Sequence, residues 1–249
     1  MARRRRQPHP YPAPPGDGRP RRRGLLGSLV RWAIILGVVV PLLAVLVYRF
    51  APPPVTLTML QRRAEGEGLD YRWRSLDRIS PNLAAAVIAS EDAKFCSHHG
   101  FDADAIEQAL ANNERRPGRI RGGSTVSQQT AKNVFLWQDR TWVRKGLEAY
   151  FTALIEVAWP KRRIMEVYLN VAEWGPGVYG AEAAARHWFG KSAAGLTRQE
   201  AARLAAILPS PRRYRAAKPG PYVRRRTAAI LARANVVRRD GLAACLRAG

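Results

Sequence analysis

The chain has 249 residues, 47% of them hydrophobic, enough for one medium domain with accessory segments or two small ones. Its 42 Lys+Arg against 19 Asp+Glu leave a net charge of +23, which points to an anionic partner: nucleic acid, anionic lipid or a phosphorylated substrate. Two cysteines, Cys96 and Cys245, exclude a disulfide-framework scaffold. Both are read as free thiols, so cysteine usage does not decide the redox compartment.

In chain order, residues 1–31 form a basic tail with nine Arg and one Asp, and the first 23 hold too little apolar content to fold. Trp32 to Tyr48 is an uncharged run of 17 residues between Arg31 and Arg49, with aromatics at both ends. That length just spans a bilayer core, and residues 32–50 are expected to form one transmembrane anchor. The competing reading, a cleaved signal peptide, is opposed by the long basic leader and the missing small-x-small cleavage site. The arginines before the span predict a cytoplasmic N-terminus and an extracytoplasmic remainder.

Residues 51–70 are expected to link the anchor to a folded domain over 71–240, with 241–249 a tail. Ala51-Pro52-Pro53-Pro54 reads as a stiff extended spacer. Pro81 opens an Ala-rich helix running to Ser90. Thr141 caps a second helix that Pro160 stops at Trp159. Ile164–Val171 and Arg198–Leu208 read as further helices, the last with a capping box from Thr197 and Glu200. No segment shows convincing strand alternation, and the fold is expected to be mostly α.

Four segments hold groups that can do chemistry. Glu91 and Asp92 end the Ala-rich helix, where desolvation would raise a carboxyl pKa and suit it to general acid–base work; taken alone, such a pair more often marks a solvated helix end. His98 and His99 lack the further ligands of a metal site, and a hydrogen-bonded structural role fits better. Gly122-Gly123-Ser124-Thr125-Val126-Ser127-Gln128-Gln129-Thr130-Ala131-Lys132 offers backbone amides and neutral donors, without the closing Lys-Ser/Thr of a nucleotide loop. Arg144 and Lys145 lie on the same helix side as Glu148, either an exposed salt-bridged face or a cationic wall for a diphosphate. Lys161-Arg162-Arg163 put three cations at a helix start, where the dipole disfavours them.

The joint order of these segments is specific. Glu91-Asp92-x-x-Phe95-x-x-His98-x-Gly100, Gly122-Gly123-Ser124-Thr125-x-x-Gln128-Gln129, Arg144-Lys145-x-x-Glu148 and Lys161-x-x-Ile164-x-Glu166-x-Tyr168-Leu169-Asn170 together resemble the peptidoglycan glycosyltransferase family (glycosyltransferase family 51). Val171-Ala172-Glu173-Trp174-Gly175-Pro176-Gly177-Val178-Tyr179-Gly180 is similar to its monofunctional biosynthetic branch. The likeness covers about residues 75–235.

The resemblance implies a lysozyme-like, two-lobed, mostly helical domain whose smaller apolar lobe meets the membrane. It implies polymerisation of lipid II by extension of a glycan lipid, with inversion at the anomeric carbon and release of undecaprenyl diphosphate. By matching positions, Glu91 is the catalytic base and Glu148 the second acidic residue of the catalytic set, positioning the acceptor or the cations. Asp92, Phe95, Ser124, Gln129, Lys132, Arg140, Arg144 and Lys145 are the substrate-binding residues, with Lys132, Arg140 and Lys145 on the diphosphate. No resident metal is implied, although a divalent cation, Mg or Mn, at the diphosphate is compatible. The implied partners are lipid II, the growing glycan lipid, the membrane and other cell-wall synthesis or division proteins, but no nucleic acid. The nearest rival is a lytic glycosidase of the same broad fold, which needs an acid and no cationic wall.

Overall fold

The computed structural model describes residues 25–115, 122–139 and 141–247. The described residues fall into two compact units, divided after Pro41.

Among the described residues of the first unit, α1 (Leu25–Ile34) runs into a π-helical turn at Ile35–Val39. The N–H of Val40 reaches back to the carbonyl of Ile35. Pro41 accounts for this loosening, since it brings no N–H to the helical ladder and its ring crowds the preceding turn. The helix therefore starts within the segment assigned to the basic tail, not at Trp32, because Leu25 to Val30 are mostly apolar and Arg31 is tolerated inside it. Gly27–Phe50 is long and apolar enough to cross a membrane.

The second unit holds α2 (Val40–Phe50) from Leu42 on, followed by α3 (Leu57–Ala64), α4 (Pro81–Glu91), α5 (Ala103–Arg115), α6 (Val126–Phe135), α7 (Trp142–Ala158), α8 (Lys161–Val171), α9 (Ala181–Phe189), α10 (Arg198–Ile207) and α11 (Pro221–Arg239). The helices sort into two groups. In one, α4, α10 and α11 pack on each other; in the other, α6 packs on α7, α8 and α3. Helix α4 is apolar on all sides, with Leu83 to Ala89 buried, as befits a helix enclosed by neighbours rather than lying on a surface.

Three short strands, β1 (Asp70–Tyr71), β2 (Glu173–Gly175) and β3 (Val178–Tyr179), form a sheet in the order β1-β3-β2. Strands of two or three residues leave no alternation to read. Gly177 makes the β2–β3 turn with φ +70°, and a Cβ there would stand 2.1 Å from the Gly68 carbonyl oxygen.

Three local expectations meet their physical reason here. Thr197 and Glu200 form the capping box of α10, and Thr125 with Gln128 forms a second one on α6. Trp159 ends α7, and Pro160 then serves as the N-cap of α8. The cations opening α8 act as staples: Lys161 pairs with Glu156, Arg162 with Asp77, and Arg163 bonds the carbonyls of Tyr48 and Ala51. Those tertiary bonds outweigh an unfavourable dipole term of a few tenths of a kcal/mol to about 1 kcal/mol.

The cysteines are not free thiols. Cys96 and Cys245 form a disulfide with Cα atoms 5.6 Å apart, joining the loop after α4 to the segment after α11. Folding brings together two residues 149 positions apart, a pairing that sequence spacing alone cannot reveal.

Candidate active site

Glu91 is the last residue of α4, and its side chain is only 15% exposed. One carboxylate oxygen accepts from Gln129 Nε2 at 3.1 Å, the other from Arg226 Nη2 at 3.3 Å. Burial raises the Glu91 pKa above the usual carboxylate value; Gln129 and Arg226 pull it back, and neighbouring Asp92 pushes it up. The result is a poorly hydrated carboxylate with enhanced basicity, kept in place by one neutral and one charged donor.

Gln129 is itself oriented. Its Oε1 accepts from the Tyr168 hydroxyl at 3.3 Å, which turns its amide N–H₂ towards Glu91. Tyr168 is fully buried, and its own pKa is driven up by burial, then by Glu91 and Asp92. It therefore stays a protonated donor.

Lys132 sits three residues beyond Gln129, on the same side of α6. Among the described residues its ammonium has no hydrogen bond or ion pair. Burial pulls its pKa below the lysine norm, Glu148 opposes this, and Arg144 and Lys145 add to it. On α7, Glu148 is buried and binds both neighbouring cations: Arg144 Nη1 donates to one oxygen at 2.6 Å, and the Lys145 ammonium pairs with the other. Among the described residues the buried Arg144 Nε has no partner. Three cations thus converge around one acid, a net positive field beside the Glu91–Gln129 pair. Such an arrangement suits anionic oxygens more than a lone cation.

Asp92 and Phe95, expected at the substrate, are buried beneath the site instead. Asp92 accepts from His98 Nε2 at 2.9 Å and from the Val126 N–H at 2.9 Å. His98 Nδ1 accepts from the Gly100 N–H, so its Nε2 carries the proton given to Asp92. This clamps the loop after α4 to the start of α6 and bears out the structural histidine. Phe95 is fully buried under the Lys161 ammonium, which lies 4.7 Å from its ring centre. Ser124 is exposed just before α6. Arg140 lies outside the described residues.

Arg226 was missed. It belongs to the run Arg224-Arg225-Arg226, which reads as a solvated basic stretch. Its signal is position: Arg226 lies three residues after buried Val223 and four before buried Ile230, flanking the stripe that packs on α4.

Residues 58–235 match the transglycosylase family. The chain belongs to this family. Related transglycosylases share its sequence over most of their length. The biosynthetic peptidoglycan transglycosylase of Caulobacter vibrioides is 59% identical over 90% of this chain and 97% of its own. That of Rhodospirillum centenum is 59% identical over 86% and 93%, and that of Pseudomonas aeruginosa 58% identical over 75% and 82%. The buried carboxylate and the cationic cluster both lie within the matched residues.

Among the described residues no group of three or more His, Cys, Asp or Glu is placed to hold a metal ion. Glu148, the acid nearest the cations, already has both oxygens engaged.

Proposed function

We propose that this peptidoglycan transglycosylase polymerises lipid II into linear glycan strands at the outer face of the bacterial cytoplasmic membrane. Glu91 takes the proton from the acceptor sugar's hydroxyl, whose oxygen attacks the anomeric carbon of the lipid-linked donor. The bond from that carbon to the diphosphate breaks, the configuration inverts, and undecaprenyl diphosphate leaves with its electron pair. A diphosphate already carries charge, so it needs fixed cations rather than an acid. Lys132, Lys145 and Arg144 provide them, and Glu148 holds the last two in place. A Mg or Mn ion bound at the diphosphate would add positive charge to that of Lys132, Arg144 and Lys145.

The observation that carries this reading is the Lys132 ammonium, unpaired among the described residues, one turn from the Gln129 that grips Glu91. A glycosidase has no use for such a cation, because hydrolysis of a sugar–sugar bond releases no phosphate.

Location rests on three supports. The helix Gly27–Phe50 suits a membrane, with the arginine-rich N-terminus on the cytoplasmic side. The Cys96–Cys245 disulfide fits an oxidising compartment outside the cytoplasm. Leu57 and Leu60 on α3, with Trp142, Val143 and Val157 on α7, are large apolar side chains left exposed, consistent with seating in lipid.

The test is incubation of purified full-length protein with labelled lipid II alone, products resolved on a gel. A ladder of glycan lipids is expected. Unchanged lipid II alongside cleavage of preformed glycan would favour the lytic alternative.

A further inference from the structure

Between α10 and α11 the chain folds into a basin of about 280 Å³ that takes no part in the chemistry above. It is lined by Arg213, Arg215 and Lys218, by Tyr214 and Tyr222, and by no acid. The tyrosine rings stack with centroids 4.9 Å apart, and Tyr222 is 43% exposed. The loop is held in shape: Ala216 is fully buried, and the Arg213 and Tyr214 N–H groups both bond the Ser210 carbonyl.

None of the three cations has an acidic partner among the described residues, whereas adjacent Arg212 is paired with Glu67. In a chain of net charge +23, three unpaired cations around one hollow repel each other unless an anion joins them. The N-terminus of α11, which opens at Pro221, adds to the positive potential.

The basin is connected to the reaction centre by one helical turn. Tyr222 lines it, and Arg226, four residues on along the same side of α11, donates to Glu91. The cations assigned to the diphosphate lie on α6 and α7, in the other helical group, so the basin is separate from them. The exposed aliphatic side chains and the tryptophan that would accompany a lipid headgroup site, Leu57, Leu60, Trp142, Val143 and Val157, are on α3 and α7, whereas the exposed ring at this hollow is Tyr222.

We propose that this basin binds the carboxylate-bearing peptide carried by the saccharide substrate, the cations taking carboxylates and the exposed tyrosine face covering a peptide or sugar plane. The inference rests on the glycan-transfer reading, since peptidoglycan is a glycan bearing peptides.

The experiment compares full-length wild type with the triple variant Arg213→Ala/Arg215→Ala/Lys218→Ala on two substrates: lipid II, and lipid II whose peptide carboxylates are converted to carboxamides. For lipid II the variant's KM should rise about tenfold with kcat little changed, the sum of three partly exposed charge contacts. On the carboxamide substrate the two proteins should share one KM. The single variant Lys218→Glu, at an exposed side chain, should shift KM in the same direction. Equal KM values on lipid II would overturn the proposal, as would an equal loss on both substrates. So would a loss that follows the anionic lipid content of added vesicles, the mark of a headgroup site. If wild type polymerises neither substrate, the glycan-transfer reading fails instead.

Discussion

Replacing Lys132 by Met tests the cationic wall and predicts opposite effects on activity and stability. Lys132 is half-buried and, among the described residues, no carboxylate contacts it directly, so its charge is free for phosphate oxygens. Removing a donor aimed at developing negative charge costs roughly 3–4 kcal/mol of barrier, about 10²–10³ in kcat. Stability should not follow. Burial first, then Arg144 and Lys145, hold the Lys132 pKa below its unfolded value, with only Glu148 opposing. A lysine depressed in this way opposes folding wherever its ammonium is forced on the buried site; the penalty is complete below the folded pKa and gone above the unfolded one. Neutral pH lies within that penalised range. Met keeps most of the stem's packing and removes the charge, so the melting temperature should hold or rise, by roughly 2–4 °C for each kcal/mol recovered. Steady-state polymerisation of lipid II and a thermal melt measure both. A kcat loss below tenfold, or a melting temperature several degrees lower, would refute the reasoning, since the first denies a diphosphate role and the second makes Lys132 a structural residue.

Two further predictions concern the neighbours. Arg226→Met should shift the acidic limb of the kcat/KM profile to higher pH: Arg226 lowers the Glu91 pKa, Asp92 and burial then act less opposed, and the base is active only when deprotonated. The variant should thus recover relative activity as pH rises, and an unmoved limb would disprove the coupling. Cys245→Ser should cost about 5 kcal/mol at most, the chain-entropy value for a loop near 149 residues, read as a lower denaturation midpoint that reducing agent reproduces in wild type.

Much of the fold was legible because the decisive signals are local. Pro81 and the alanines after it dictate α4, and Thr197 with Glu200 fixes the start of α10. What could not be read depends on pairings that only folding creates. The disulfide, the contact of Arg226 with Glu91, and the sheet that brings Asp70 opposite Val178 all join residues distant in the chain. In the site, the carboxylate, polar loop and cations read from the sequence order are brought together by the fold. That order did not separate Glu91, half of a hydrogen-bonded pair with Gln129, from Asp92, whose acceptor capacity goes to His98 and the α6 amide. The two acids are adjacent, but the helix ends between them, and the turn of backbone at Asp92 (φ −160°) sends its side chain away into the core.

The most direct measurement is the single-turnover rate of lipid II extension by Glu91→Gln against wild type, with the circular dichroism of both recorded. Gln preserves the shape and can still meet Gln129, yet it cannot take a proton. A folded variant slower by about 10²–10⁴, the range for a positioned base, is the predicted result. A folded variant within tenfold of wild type would contradict the claim that the enclosed carboxylate of Glu91 is the base.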